Sequence, residues 1–426
     1  MTYHNAVKYV KNAPNLTPKN SVASDRISAL SKALGNPQRH IKYIRLAGSN
    51  GKSICARMLT SILNEAHISS GCLSMPIHEE IRDNIRINGE PISMDEAVEY
   101  ISAVRDAVVE INADAENGFE GHFSATAHEI LLFASILAFT AHKCSVCIIE
   151  GDHNGEDPSR FLTTAPFAAI ICGIIPSNNK KEILRIRSYV SRGMSEIVAA
   201  PQDEKAFSII QETCASAGCR PTQANVSSIN ITRLALGGTD FTYKDNSYSL
   251  QVCGKFQTAN AIIAIEGANM LRRYGHKIEQ EHITSGLASF KAPGKFEIIS
   301  AFPTIIADST YAPVAIEAIC DSLADFKDIT GTHIRLCLPD GELIPQYISA
   351  LYERGYTIEK ISALIIEGVG EEERGECNVP LSLSKTYKLT AKDALSGLDG
   401  SCMLLISGPN NFTEALRHQL LSILGF

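Results

Sequence analysis

Apolar runs and amphipathic stretches alternate along the chain and divide it into strand and helix candidates. A short apolar run at 41–46 reads as a buried strand, and a glycine-rich turn follows at 48–51. Residues 52–66 then carry Ile54, Met58, Leu59, Ile62 and Leu63 at helical spacing. Helices are predicted at 94–113 and 126–142. Near-continuous apolar strands are predicted at 145–150 and 168–175, the pattern of parallel strands covered on both faces. Residues 240–253 alternate around an Asp-Asn turn and predict an antiparallel hairpin, and a helix at 257–274 closes this half. The pattern breaks at Ala292-Pro293-Gly294, a candidate hinge. Beyond it, strands at 304–308, 333–338, 363–367 and 403–407 alternate with helices near 313–325, 342–354 and 412–424. Such alternation predicts a mostly parallel sheet with right-handed crossovers. The expected fold class is α/β, with a larger domain over 1–295 and a smaller Rossmann-like domain over 296–426. The charge run at 371–374 reads as a solvated loop.

Composition narrows the function classes. The chain has 426 residues, enough for two or three domains, and its 45% hydrophobic and 20% charged content is that of a globular protein. Lys and Arg number 39 against 47 Asp and Glu, a net charge of −8 that argues against broad nucleic-acid or anionic-membrane binding. The longest apolar runs, 130–141 and 161–176, fall short of the ~20 residues that span a bilayer. The N-terminus carries no apolar stretch of secretory type. A cytoplasmic protein is expected. Twelve scattered cysteines fit that compartment. Cys144 and Cys147 form a C-x-x-C with no second pair at zinc spacing, and read as buried small hydrophobes.

The sharpest chemical signal is Gly48-Ser49-Asn50-Gly51-Lys52-Ser53, which follows a predicted strand and opens a predicted helix. That is the context of a phosphate-binding loop. Glycines let backbone N–H groups approach phosphate oxygens, and the helix N-terminus adds partial positive charge. Lys52 can reach the β- and γ-phosphates, and Ser53 can offer its hydroxyl to Mg²⁺. The strict G-x-x-x-x-G-K-[ST] pattern is not met, because Leu46 stands where its first glycine belongs.

The short cradle resembles that of the Mur ligase superfamily, whose members join a carboxylate to an amine at the expense of ATP. Residues 83–93 (DNIRINGEPIS) resemble the "ERIRINGEPIS" stretch of the folylpolyglutamate synthase and dihydrofolate synthase family. Further matches follow in order. Thr126-x-x-Glu129 resembles T-x-F-E, with His128 in place of Phe. Glu150 closes an apolar strand, as the family's Mg²⁺-binding glutamate does. Gly254-x-x-Gln257-x-x-Asn260-Ala261 resembles "GxHQxxNAxxA", whose Asn lies near the nucleotide. Pro293-Gly294-Lys295-Phe296-Glu297 resembles "PGRFE", where the basic residue faces phosphate, and Asp308 stands where the family has the Asp of "DGAHNP". The similarity runs from about residue 40 to 320.

The resemblance implies a Mur-ligase-like ATP-binding domain and a Rossmann-like C-terminal domain. It implies an ATP-dependent amide ligase that activates a carboxylate as an acyl phosphate and couples it to an amino acid, possibly folate and glutamate. ATP and Mg²⁺ are the implied cofactors, and a monomer is expected. Gly48, Ser49, Asn50, Gly51, Lys52, Ser53, Asn260, Lys295 and Asp308 would bind ATP. Ser53 and Glu150 would hold the metal, and Lys52 and Glu150 would be catalytic. Each has a plainer alternative: Glu150 a solvated strand-end carboxylate, Asn260 a helix-surface amide, Lys295 a turn lysine, Asp308 a helix cap.

Several family features are absent. The glycine-rich "VGLGGRLDATN" is reduced at 151–159, the His of "GLDH" has no counterpart at 173–179, and the lysine of "EKAGI", which the family carbamylates to support a second metal, has none at 184–188. Met75 stands at the loop serine of "TSPHL", and the His-Asn of "DGAHNP" is lost at 308–313. Asn178, Arg185 and Arg187 are candidates for the vacated positions. A catalytically lapsed nucleotide-binding protein with a regulatory or partner role is the alternative to an active ligase.

Overall fold

The computed structural model describes residues 1–14, 20–75, 77–78, 80–114, 119, 122–151, 157–174, 180–309, 313–339, 343–364, 383–386 and 391–425. His153, Asn178, the end of the strand expected at 168–175, and the 371–374 charge run lie outside them. The chain forms two compact units, Met1–Ser228 with Ala259–Leu287, and Ile229–Thr258 with Ala288–Phe426.

The first unit is built on an eight-stranded sheet: β1 (Tyr43–Ala47), β2 (Ser70–Leu73), β3 (Ile85–Ile87), β4 (Glu90–Pro91), β5 (Val146–Glu150), β6 (Ala168–Ile171), β7 (Glu196–Ala199) and β8 (Arg220–Gln223), in the order β4-β3-β2-β5-β1-β6-β7-β8. From β2 to β8 neighbours are parallel, while β3 and β4 add an antiparallel edge. Every residue of β1, β5 and β6 is buried, which explains their largely apolar sequences, broken by Arg45 in β1 and Glu150 at the end of β5. Helices Met94–Ala113 and Ala127–Ala141 pack with Tyr43, Leu73, Cys147 and Ile149 in one cluster. Ala47, Ala169, Ile171 and Ile197 form another with Ile186, Ile209 and Ile210. Helix Ala127–Ala141 is apolar nearly all round, as a helix buried on most sides must be. Its start is fixed by a capping box in which Thr126 and Glu129 satisfy each other's backbone N–H groups. Glu129 also takes Arg26 in a buried bidentate pair, at 2.9 and 2.6 Å. Cys147 is buried as expected whereas Cys144 is only half-buried, and desolvation raises the pKa of both.

The second unit holds a three-stranded antiparallel sheet, β9 (Asn230–Ala235), β10 (Gly238–Tyr243) and β11 (Asn246–Leu250), and a six-stranded sheet. The latter comprises β12 (Glu297–Ala301), β13 (Thr304–Asp308), β14 (His333–Pro339), β15 (Thr357–Leu364), β16 (Leu383–Thr386) and β17 (Cys402–Ser407), in the order β12-β13-β17-β14-β15-β16. Only the β12–β13 pair is antiparallel. The sequence reading put residues 229–258 in the larger domain, whereas the contacts count them with the second unit, where Leu234, Leu236, Cys253 and Phe256 join the cluster around Ile306, Ile316 and Leu336. The hairpin turn is Lys244-Asp245, both in left-handed conformation (φ 46° and 62°), one residue before the expected Asp-Asn. The strand expected at 363–367 begins earlier, at Thr357, and is described as far as Leu364; positions 365–367 lie outside the described residues.

Candidate functional site

β1 lies between β5 and β6, so its carboxyl end sits where the sheet's connections diverge to either side, the usual place for a ligand crevice in an open parallel sheet. Three strand ends converge there. The Gly48–Gly51 loop leaves β1, Glu150 ends β5, and Gly173 follows β6. Gly48 and Gly51 adopt left-handed φ values of 118° and 84°. The Ser49 and Asn50 N–H groups donate to the Gly173 carbonyl at 2.8 and 3.2 Å, which pins the loop to the end of β6. Gly51 is the N-cap of helix Lys52–Glu65 and makes no side-chain cap hydrogen bond, so the first-turn amides present the positive end of the helix dipole.

Lys52 is 5% exposed, and its Nζ donates to the Gly48 carbonyl at 3.0 Å, folding the ammonium back over the loop. The Ser53 hydroxyl lies 3.0 Å from both carboxylate oxygens of Glu150. Glu150 is 3% exposed and also accepts from the Met75 N–H at 3.3 Å. It is therefore not a solvated strand-end carboxylate. Burial and the nearby Glu150 charge push the Cys72 thiol up to about 12. The Asn260 side chain sits directly against Gly51: a Cβ there would collide with Asn260 Oδ1. Gly48–Ser53, Glu150 and Asn260 thus form one constellation.

Lys295 and Asp308 stand together in the second unit. Asp308 Oδ2 accepts the Phe296 N–H at 2.8 Å, and Ser309 N–H donates to the Gly294 carbonyl at 2.7 Å. Glu297 accepts the Gly294 N–H at 2.7 Å and is gripped by Arg417 at 2.5 and 2.9 Å. Two carboxylates therefore fix the turn that carries Lys295. The next helix begins only at Pro313.

Ser53 and Glu150 supply two hard oxygens on one spot. That set fits Mg²⁺, which keeps several waters and takes one or two carboxylates plus substrate phosphates. Among the described residues no group of three or more His, Cys, Asp or Glu could hold a further ion.

Two features escaped the sequence reading. Arg45, 1% exposed in the middle of β1, donates to Asp157 Oδ2 through Nε (3.1 Å) and Nη2 (2.6 Å) and to the Ser188 carbonyl at 2.8 Å. Asp157 in turn accepts the Ser159 N–H at 3.0 Å, tying down the segment beyond Glu150. An arginine inside an unbroken apolar strand was the available signal. Arg185 Nη2 lies 3.0 Å from the Ser49 hydroxyl, a contact no sequence spacing reveals.

No protein-family model matches the chain. Among curated proteins it is 25% identical over 350 residues to a probable bifunctional folylpolyglutamate synthase/dihydropteroate synthase of Haloferax volcanii, covering 78% of this chain and 40% of that one. It is 26% identical over 340 residues to the dihydrofolate synthase/folylpolyglutamate synthase of Mycobacterium tuberculosis, covering 72% and 68%. With the folylpolyglutamate synthase of Lacticaseibacillus casei it shares 24% over 337 residues, covering 76% and 77%. The match thus spans about 40% of the bifunctional archaeal relative and about two thirds or more of the other two. The solved folylpolyglutamate synthetase from Lactobacillus casei superposes with a TM-score of 0.79 at 19% identity, over 99% of this chain and 100% of that one, which establishes the shared fold. With the cradle, the strand-end glutamate and the Asn260 contact in place, the chain is similar to folylpolyglutamate synthases and dihydrofolate synthases over 72–78% of its length and shares the fold of the solved one.

Proposed function

We propose that the protein is an ATP-dependent carboxylate–amine ligase of the folylpolyglutamate synthase type, adding an amino acid such as glutamate to a folate-like carboxylate. The observation that carries this is the cradle: a glycine loop and an uncapped helix N-terminus beside a buried Ser53–Glu150 pair, at the carboxyl ends of adjacent parallel strands. The family relation supports the reaction class, and a related solved structure is a complex of folylpolyglutamate synthase with AMPPCP and folate.

In this reading the substrate carboxylate attacks the γ-phosphate, giving an acyl phosphate and ADP, and the amine then displaces phosphate to form the amide. The backbone N–H groups of Lys52 and Ser53 and the helix dipole bind phosphate oxygens. Lys52 exchanges its bond to the Gly48 carbonyl for the triphosphate and offsets the charge that builds during transfer. Ser53 and Glu150 hold Mg²⁺, which shields the phosphate oxygens when bound. Asn260, against Gly51, fixes the loop's last turn and lies ready for the nucleotide. Lys295 is a phosphate ligand on a turn braced by Asp308 and Glu297, so Asp308 acts through Lys295. The protein works as a cytoplasmic monomer. Among the described residues no helix is long and apolar enough to cross a membrane.

One observation favours the lapsed alternative: Met75, whose backbone N–H donates to Glu150, lines the same small pocket and carries no hard oxygen for an ion. A coupled ATPase assay with pteroate-type acids and glutamate separates the two. Acid-dependent ADP release, reduced at least about 10³-fold by Lys52→Ala, supports the ligase. Tight ATP binding with no turnover on any acid supports the alternative.

A further inference from the structure

The cradle has a cationic wall that the family pattern does not describe. Arg45, Arg160 and Arg185 line one small cavity directly behind Gly48, together with Asp157 and Tyr189. Asp157 occupies Arg45. Burial, and then the neighbouring Arg45, lower the pKa of Arg160. Arg185 differs from both in its position. Its Nη2 donates to the Ser49 hydroxyl in the cradle at 3.0 Å and to Glu182 Oε1 at 2.6 Å, and its side chain is 20% exposed. It is thus held by a carboxylate one helical turn away, touches the phosphate loop, and remains reachable by a ligand. Glu182 and Arg185 lie on helix Lys180–Arg187 at i and i+3, neighbours on one helix face.

A nucleoside triphosphate brings about four negative charges to such a loop, and its transferring phosphoryl group needs them offset. Lys52 supplies one cation, and the Ser53–Glu150 pair suits one divalent ion. No further metal-ligand group exists among the described residues. A planar guanidinium matches phosphate oxygens bidentately, is always charged and is weakly hydrated, so it provides such charge without an ion.

We infer that Arg185 is a tethered cation of the phosphate cradle: held by Glu182 against Ser49, its guanidinium takes a phosphate oxygen of the bound nucleoside triphosphate and stands in for a second metal ion. This inference rests on the proposed function, because it needs a triphosphate in the cradle.

The test measures ATP binding by calorimetry in EDTA, and metal stoichiometry with ATP analogue and Mn²⁺. In EDTA the wild type binds ATP, and Arg185→Gln binds roughly 10- to 100-fold more weakly, the loss of one charge-assisted contact. Arg185→Lys keeps the charge and stays within about tenfold of wild type. Glu182→Gln, which leaves the cation but loosens it, falls between wild type and Arg185→Gln. With Mn²⁺ the wild type takes one ion per nucleotide. Arg185→Gln binding like wild type, Lys and Gln variants behaving alike, or two ions per nucleotide in the wild type would each overturn the inference while leaving ATP binding intact. Should the wild type take up no ATP at millimolar concentration, the functional reading falls and takes this inference with it. Melting midpoints of all variants separate lost charge from lost fold, and the lysine variant decides if the glutamine variant melts early.

Discussion

Gly48→Ala tests the cradle most directly. The residue sits at φ 118°, and a Cβ built on it would stand 2.8 Å from the Cys172 carbonyl oxygen, 2.9 Å from its carbon and 3.1 Å from its nitrogen. All three are backbone atoms at the end of β6, so no side chain can swing away. A left-handed conformation costs a residue with a Cβ about 1–2 kcal/mol, and overpacking a tight site costs about 1–3 kcal/mol more. If the loop holds, the first unit loses roughly 2–5 kcal/mol, which at about 2–4 °C per kcal/mol for a domain of this size lowers its melting midpoint by roughly 4–20 °C. If the loop instead shifts to relieve the clash, the Ser49 and Asn50 bonds to Gly173 break and the cradle moves by about an ångström, enough to weaken function about 10²-fold. Differential scanning fluorimetry and ATP calorimetry read the two branches. Gly173→Ala is the internal control. It lies on the same strand end, yet a Cβ there meets nothing within 4 Å, so it should leave both readouts near wild type. A Gly48→Ala protein that melts and binds like wild type, or a Gly173→Ala protein equally damaged, would refute the reasoning.

Two further predictions concern buried and capping charges. Arg45→Met strands the Asp157 carboxylate in the interior, where the Ser159 N–H and hydroxyl still donate to it, and should cost roughly 3–5 kcal/mol in urea unfolding, while Arg45→Met with Asp157→Leu should recover most of that loss; a double variant no more stable than Arg45→Met would sink this account. The Glu96 carboxyl is held below its ordinary range first by the Ser93 hydroxyl at 2.7 Å, then by the Ser93 N–H at 2.8 Å. Its folded pKa is depressed, so its stabilisation is fully present above the ordinary glutamate value of ~4.3 and is lost as pH falls through the folded value. The melting gap between wild type and Glu96→Gln should therefore close between about pH 5 and 3; a gap of constant size across that range would contradict the assignment.

The fold was legible wherever one segment carried its own signal. Strands β1, β5 and β6 are fully buried and therefore mostly apolar, with Arg45 inside β1 and Glu150 at the end of β5 as the exceptions, and the helix after β1 declares itself by period. The cradle was legible for the same reason: loop, lysine and helix start are consecutive residues. Segments that depend on neighbours were not. β8 (RPTQ) is partly exposed at a sheet edge and β9 (NITRLA) half-exposed, so neither has the alternation or the apolar run that marks a strand. Strands β2 and β7 are only four residues each and are buried by what covers them rather than by their composition. The site divides in the same way. Ser53 and Glu150 were found because each ends or begins an element. Arg185 was named only as one of three candidates for a vacated position, because what distinguishes it is a contact 136 residues away in sequence, with Ser49. Asp308 shows the intermediate case. Its strand-end position was readable, but the atom it serves is the Phe296 N–H, 12 residues earlier. A carboxylate at a strand end can hold a ligand, cap a helix or brace a neighbouring turn, and the sequence leaves all three open. The 2.8 Å bond from the Phe296 N–H shows that Asp308 braces the turn that carries Lys295. Substituting Asp308 should accordingly damage whatever Lys295 does, and little else at the cradle's own loop.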